Sequence, residues 1–156
     1  PLDLARGYKQ PAAAELLEAR RGRAGREVSI HMAAAKGDAV AVQAFLRRGV
    51  KANVPGPLHQ STPLHWAAGA GKVNTMELLI ALGADVDALS NSHATPLHQA
   101  VLHNRPEAAA LLIRNNADLN SQNKSGHTPL DYATANRWED LIRLLQTAGA
   151  ISGKTL

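Results

Sequence analysis

The sequence predicts an all-α solenoid, a linear stack of helix-turn-helix units with protruding hairpin loops. One phrase recurs at a constant interval: TPLHWAA begins at Thr62, TPLHQAV at Thr95 and TPLDYAT at Thr128, 33 residues apart each time. Each phrase is followed at a fixed distance by an apolar pair, such as Leu78-Leu79 or Leu111-Leu112. Such self-similarity is typical of repeat architectures, in which one unit buries its apolar face only against its neighbours.

The elements of one unit follow from its order of residues. Thr95 stands where an N-cap hydroxyl belongs and Pro96 takes the first helical position, so a short first helix begins there. The first helices are expected to end near Gly71, Asn104 or Arg137. A second helix carries the apolar pair, and the polar stretch between Leu79 and Thr95 is expected to form an extended hairpin. Residues that tolerate positive φ should terminate the second helices: Gly49, Gly83, Asn116 and Gly149.

Weaker copies of the phrase extend the repeat toward the N-terminus, as VSIHMAA from Val28 and PLDLA from Pro1. We therefore expect a single domain over 1–156, with a partial, cap-like repeat at 1–22 and repeats at 23–56, 57–89, 90–122 and 123–156. The apolar pairs, including Leu16-Leu17, Ala44-Phe45 and Leu144-Leu145, and a set of alanines are expected to form the core. These alanines are Ala33, Ala34, Ala67, Ala68, Ala100 and Ala133.

Composition narrows the class of protein. The 156 residues are 45% hydrophobic and 19% charged and contain no cysteine, which fits one globular domain and excludes disulfides and thiolate metal sites. No apolar run is long enough to span a membrane. We expect an intracellular and cytoplasmic protein. The net charge is +4, and the basic surplus is N-terminal, densest at Arg20, Arg21, Arg23 and Arg26.

The segment TPLHWAAGAGKVNTMELLIALGADVDA resembles an ankyrin repeat in its TPLH start, central glycine, leucine pair and GADV hairpin. The resemblance is strong over 23–150 and weak over 1–22. It implies helix pairs with hairpin fingers, a concave groove between the fingers and the first helices, and a protein-binding function. Three departures stand out: Val28-Ser29 replaces Thr-Pro, Asp131 replaces the histidine, and Asn104 and Arg137 replace the glycine. The first helices that end near Asn104 and Arg137 should therefore lack the left-handed turn that glycine allows, or adopt it with strain.

The seven histidines do not predict a metal site. His31, His65 and His98 occupy equivalent repeat positions, and the resemblance implies that each orders its turn through hydrogen bonds to the neighbouring Thr and backbone. His93, His98 and His103 are five residues apart, a spacing that does not align ligands on one helix face. We predict no metal and no cofactor.

Catalytic motifs are missing as well. The sequence holds no GxSxG, Walker loop or HExxH, and GAGK at 69–72 lacks both the earlier glycine and the following Ser or Thr of a phosphate loop. Lys72 is therefore expected to be a solvated side chain. We predict that the chain is not an enzyme, because a linear stack also offers no deep pocket in which catalytic groups could converge.

Function is expected at positions that vary between repeats and face the groove. By the ankyrin resemblance the partner-binding residues are Lys36, Leu58, His59, Ser61, Trp66, Ala70, Asn91, Ser92, Leu102, His103, Lys124, His127, Tyr132 and Asn136. Trp66, Leu102 and Tyr132 would be apolar anchors, with partial core packing as the alternative for the two aromatics. Lys36, His59, His103 and Lys124 would contact polar or acidic groups of the partner.

Asn120 is a candidate hydroxylation site. It follows Leu112 by eight residues and Asp118 by two, at the finger position that asparaginyl hydroxylases favour in proteins of the resembled family. Asn53 lies equivalently but lacks both features.

We therefore predict a protein-protein interaction module, an adaptor or scaffold that binds a partner protein or peptide in its concave groove. The alternative is an ankyrin targeting segment of a longer enzyme or cytoskeletal scaffold, an alternative favoured by a chain that begins inside the repeat phrase. Binding of nucleic acid or anionic lipid through the N-terminal arginines is disfavoured, since no element for reading a nucleic-acid groove accompanies them.

Overall fold

The computed structural model describes residues 29–153, in which the regular secondary structure is α-helix and no β-strand is present. The helices come in four pairs: α1 Ile30–Lys36 with α2 Ala39–Arg47, α3 Pro63–Ala70 with α4 Val73–Ala81, α5 Pro96–Leu102 with α6 Pro106–Arg114, and α7 Pro129–Ala135 with α8 Glu139–Thr147. The predicted all-α solenoid is confirmed. The cap-like segment 1–22, Leu16-Leu17 and the arginine cluster lie outside the described residues.

The first helices begin where the sequence predicts. The Thr95 and Thr128 hydroxyls each accept a hydrogen bond from the backbone N–H three residues on, and proline occupies the first turn of α3, α5 and α7. Ser29 does the same for α1, where its hydroxyl accepts from the Met32 N–H at 3.2 Å. Each cap satisfies a donor that the helix itself cannot pair.

The backbone conformation after each helix can be compared with the turn residues that the sequence predicts. Gly49, Gly83, Asn116 and Gly149 all adopt positive φ after the second helices, as expected. After the first helices, Asn104 and Arg137 keep the left-handed turn of the glycines they replace, at φ 52° and 57°. Of the two alternatives for these positions, the strained left-handed turn is the one observed, and the strain is greater for arginine than for asparagine.

The helices stack in two rows, with α1, α3, α5 and α7 in one row and α2, α4, α6 and α8 in the other. The six predicted core alanines are fully buried, and so are Leu79, Leu112 and Leu145. The prediction is wrong for Ala44, which is exposed, while Phe45, Leu78 and Leu144 are half-buried. Adjacent helix residues point about 100° apart, so the two members of a pair seldom face the core equally.

The loops between repeats, at 55–61, 88–94 and 121–127, are called finger loops below. They are turns without strand pairing, so the extended part of the hairpin prediction is not observed in the described residues. A backbone hydrogen bond links the two ends of each loop, such as Ser90 N–H to Ala94 C=O at 3.0 Å. Neighbouring loops are joined by Asn91 N–H to His59 C=O and by Lys124 N–H to Ser92 C=O. These bonds hold the finger loops side by side along one wall of the groove.

Candidate functional site

A groove of about 530 Å³ lies between the finger loops and the first helices of the second and third repeats. We call it the central groove. Its helix wall comes from α3 with contributions from α1, α5 and the residue that caps α5, and its finger wall comes from the first two finger loops. The lining residues are Ala35, His59, Ser61, His65, Trp66, Gly69, Ala70, Ser90, Ser92, Gln99 and His103.

Buried histidines hold the finger loops against the first helices. In the second repeat, His65 Nδ1 accepts the Thr62 N–H at 3.1 Å, which leaves the proton on Nε2 to be donated to the Ala94 carbonyl at 2.9 Å. His98 makes the same two contacts with Thr95 and with the His127 carbonyl. The sequence prediction of a turn-ordering histidine is confirmed for His65 and His98, and the bond to the next repeat is an addition to it.

Burial determines the protonation of these rings. Desolvation lowers the pKa of both His65 and His98, more than hydrogen bonds to backbone carbonyls raise it. Both rings are therefore neutral at pH 7, and both nitrogens of each are used. Among residues 29–153, no three His, Asp or Glu side chains are grouped to hold a metal ion.

Trp66 is the large apolar side chain of the central groove. It stands in the middle of α3 and is 43% exposed, so part of the side chain is open to the cavities and the rest is covered by the fold. Its ring also lines a smaller apolar pocket of about 110 Å³ with Met32, Pro57 and Leu58. Met32 and Leu58 are exposed too. Trp66 is thus shared by the apolar pocket on one side and the more polar central groove on the other.

The floor of the central groove is narrow at Gly69, one helical turn beyond Trp66. A Cβ atom at this position would lie 3.3 Å from His103 Nδ1, so the glycine leaves room for the His103 ring. Arg105 reaches the same place, where its Nε donates to the Gly69 carbonyl at 3.2 Å. His103 Nδ1 also lies 3.0 Å from the Gln99 carbonyl of its own helix.

The predicted contact residues separate into those the groove brings together and those it does not. His59, Ser61, Trp66, Ala70, Ser92 and His103 line the central groove, and Leu58 lines the adjoining apolar pocket. The rest lie outside both cavities: Lys36, Asn91, Leu102, Lys124, His127, Tyr132 and Asn136. Leu102 and Asn91 are exposed nonetheless.

Tyr132 is tied into the fold more than the sequence suggests. Its hydroxyl accepts a hydrogen bond from Asn123 Nδ2 at 2.7 Å, and its ring makes edge contacts with His98 and His127. The side chain is half-buried. The Tyr132 side chain is therefore engaged in contacts within the protein, which leaves less of it open to a partner than an exposed apolar anchor would have.

Several lining residues are absent from the predicted set, among them Gln99, Met32 and Ser90. Gln99 and Met32 occupy the repeat position of Trp66, so the repeat register could have identified them. No sequence pattern pointed to Ser90, because its position in the groove depends on the conformation of the finger loop. The Ser90 hydroxyl lies 3.1 Å from the Ser92 hydroxyl and accepts a hydrogen bond from the Ala94 N–H.

The last repeat uses a carboxylate where earlier repeats use histidine. Asp131 accepts hydrogen bonds from the Thr128 N–H at 2.7 Å, from the Ser152 hydroxyl and from the Gly153 N–H. Residues 150–153 thereby take the place that a following finger loop would occupy. A carboxylate suits this place because it accepts from donors, whereas the histidines donate to a carbonyl.

Polar side chains also join the loops on the far side of the stack. Asn120 Oδ1 accepts the Ile151 N–H at 2.8 Å, and Asn53 Oδ1 accepts the Asp85 N–H at 2.7 Å. Asn53 makes a second bond, from Nδ2 to the Gly83 carbonyl. The two asparagines are exposed and equivalent in position, but Asn53 is held by two such bonds.

Comparison with known proteins agrees with this geometry. A family model of ankyrin repeats in three copies matches residues 30–123, more than half of the chain. The chain belongs to the ankyrin repeat family, whose repeats form a non-catalytic protein-interaction fold. No helix among residues 29–153 has the length and hydropathy needed to cross a membrane.

Two curated relatives match this chain over 35 residues, about the length of one repeat. The palmitoyltransferase ZDHHC13 of Homo sapiens and that of Pongo abelii are each 49% identical to this chain over 35 residues. The match covers 22% of this chain and 6% of each relative.

Proposed function

We propose that the chain is a non-enzymatic adaptor whose central groove binds a segment of a partner protein. The observation that carries the proposal is Trp66, a large aromatic side chain that stays 43% exposed between two cavities. Aromatic residues in the middle of a concave surface are the typical hot spots of protein interfaces. Leu58 and Met32 extend the apolar surface in the adjoining pocket, and serines line the central groove together with Trp66.

The groove is well suited to bind with little loss of entropy. The His65 and His98 bonds to the neighbouring finger loops fix both walls before a partner arrives, and preorganisation lowers the cost of association. The remaining predicted residues outside the two cavities, Lys36, Lys124, Leu102 and Asn136 among them, would contact the flanks of the partner. We propose an intracellular location for this activity.

The proposal is tested by affinity capture from cell extract with wild-type chain beside Trp66→Gln. Glutamine stands at the equivalent position of the next repeat, as Gln99, so the substitution is compatible with the fold. Leu82→Ala is the matched control, because Leu82 is 49% exposed on the C-cap of α4, away from both cavities that Trp66 lines. A partner retained by wild type and Leu82→Ala but lost by Trp66→Gln supports the groove. Equal capture by all three chains contradicts it.

The second candidate is that this is the ankyrin segment of a longer enzyme or scaffold, which the local similarity to palmitoyltransferase ZDHHC13 favours. An antibody against this chain distinguishes the two. A cellular product close to 16.5 kDa supports a separate adaptor. A much larger product that carries the same repeats supports the second candidate.

A further inference from the structure

The two sides of Trp66 differ in chemistry, and the difference specifies a ligand. On one side lies the apolar pocket of Met32, Pro57 and Leu58; on the other, His103 and Arg105 converge on Gly69. From this arrangement we infer that the central groove recognises an extended peptide segment. The segment carries a bulky apolar residue and, two positions before or after it, Asp or Glu. The inference rests on the proposed function and specifies its partner.

Charge supports the acidic half of the motif. In the first helices and finger loops of residues 29–153 the charged side chains are Lys36, Lys124 and the buried Asp131. The turns that end the first helices contain three basic residues, Lys72, Arg105 and Arg137, and one acidic residue, Asp38. The Asp38 Oδ1 accepts a hydrogen bond from the Ala41 N–H. The groove side of the described chain is therefore positive, and no carboxylate of residues 29–153 pairs with Arg105.

Arg105 is held in position to act on a ligand. Its stem packs over Gly71, where a Cβ atom would lie 2.9 Å from Arg105 Cδ, and its Nε is bonded to the Gly69 carbonyl. The guanidinium has further N–H donors beyond Nε. Arg105 does not line the central groove itself, but the carbonyl it bonds belongs to Gly69, the residue that the His103 ring approaches.

The spacing of the motif follows from the helix. Trp66 and Gly69 are three residues apart in α3, on the same face and about 4.5 Å apart along the axis. In an extended peptide, side chains two residues apart point the same way and are separated by about 6.6 Å. In a peptide that runs along α3, an apolar side chain on Trp66 places the side chain two positions away near Gly69, and thus near His103 and Arg105.

The test begins with selection of random displayed peptides on immobilised wild-type chain. Enriched peptides are expected to share an aromatic or aliphatic residue and an acidic residue two positions away. One enriched peptide and its Glu→Gln or Asp→Asn analogue are then titrated by fluorescence anisotropy against wild type, Trp66→Gln, Arg105→Gln and the control Leu82→Ala. Circular dichroism of each variant verifies that it is folded.

Trp66→Gln should weaken binding about tenfold or more, as expected for a central aromatic anchor, and Leu82→Ala should leave it unchanged. Loss of the peptide carboxylate should weaken binding about two- to fivefold on wild type, the range of an exposed ion pair, and should have no effect on Arg105→Gln.

Enriched peptides that depend on Trp66 but show no acidic preference would overturn the inference and leave the proposed function standing. Peptides that ignore Trp66, or the absence of any enriched peptide, would contradict both.

Discussion

Replacement of His98 by alanine tests how the finger loops are held. His98 is fully buried, and its two ring nitrogens bond the Thr95 N–H at 3.1 Å and the His127 carbonyl at 3.0 Å. A buried group that loses its partner costs about 1 to 3 kcal/mol, and truncation to alanine leaves a cavity besides. We expect the free energy of unfolding to fall by about 3 to 5 kcal/mol, a large part of the stability of a typical domain.

The assay is urea unfolding followed by far-UV circular dichroism and by tryptophan fluorescence. Trp66 and Trp138 lie in the repeats before and after His98, so the fluorescence also shows whether the stack now unfolds in parts. His103→Ala is the control, since that ring is exposed and bonds only its own helix; its effect should be about 0.5 kcal/mol or less. A loss below about 1 kcal/mol for His98→Ala would refute the reasoning that these bonds join neighbouring repeats.

Three further predictions follow from the buried rings, the strained turn and the exposed asparagine. Because burial lowers the pKa of His65 and His98, the unfolded chain binds more protons than the folded one; the free energy of unfolding should fall as the pH drops below about 6.5, and urea titrations showing no loss toward pH 5 would contradict this. Arg137→Gly should raise the unfolding free energy by about 1 kcal/mol, because glycine adopts φ 57° without strain, and an unchanged urea midpoint would show that no strain is relieved. Incubation with an asparaginyl hydroxylase should add oxygen to Asn120 in preference to Asn53, as measured by peptide mass analysis, since Asn53 is held by two side-chain bonds; modification of Asn53 alone would count against the prediction.

The sequence predicted the features that are local to one repeat. Helix starts at Thr-Pro need only adjacent residues, and the positive φ of Asn116 followed from a turn residue after a helix. The burial of Ala67 and Ala100 followed from their periodicity. Such features depend on the backbone of one repeat, and the same phrase specifies it each time.

Contacts between repeats were harder to predict. The bond from His65 to Ala94 spans 29 residues, and the position of His103 over Gly69 depends on how two repeats pack. Ala44 was wrongly placed in the core because its pair position, by itself, does not say which face of α2 has a neighbour. The assignment of Tyr132 as an anchor did not anticipate its bond to Asn123.

Site-specific photo-crosslinking tests the central claim, that the groove beside Trp66 is the binding surface, most directly. A photoreactive amino acid is placed at Leu58, which lines the apolar pocket with Trp66, or at Leu82, which is comparably exposed elsewhere. After irradiation in cell extract, adducts are separated on denaturing gels and identified by mass spectrometry. We predict that a discrete protein adduct forms from position 58, that Trp66→Gln abolishes it, and that position 82 does not give it. The same adduct from position 82, or one from position 58 that persists in Trp66→Gln, would contradict the account.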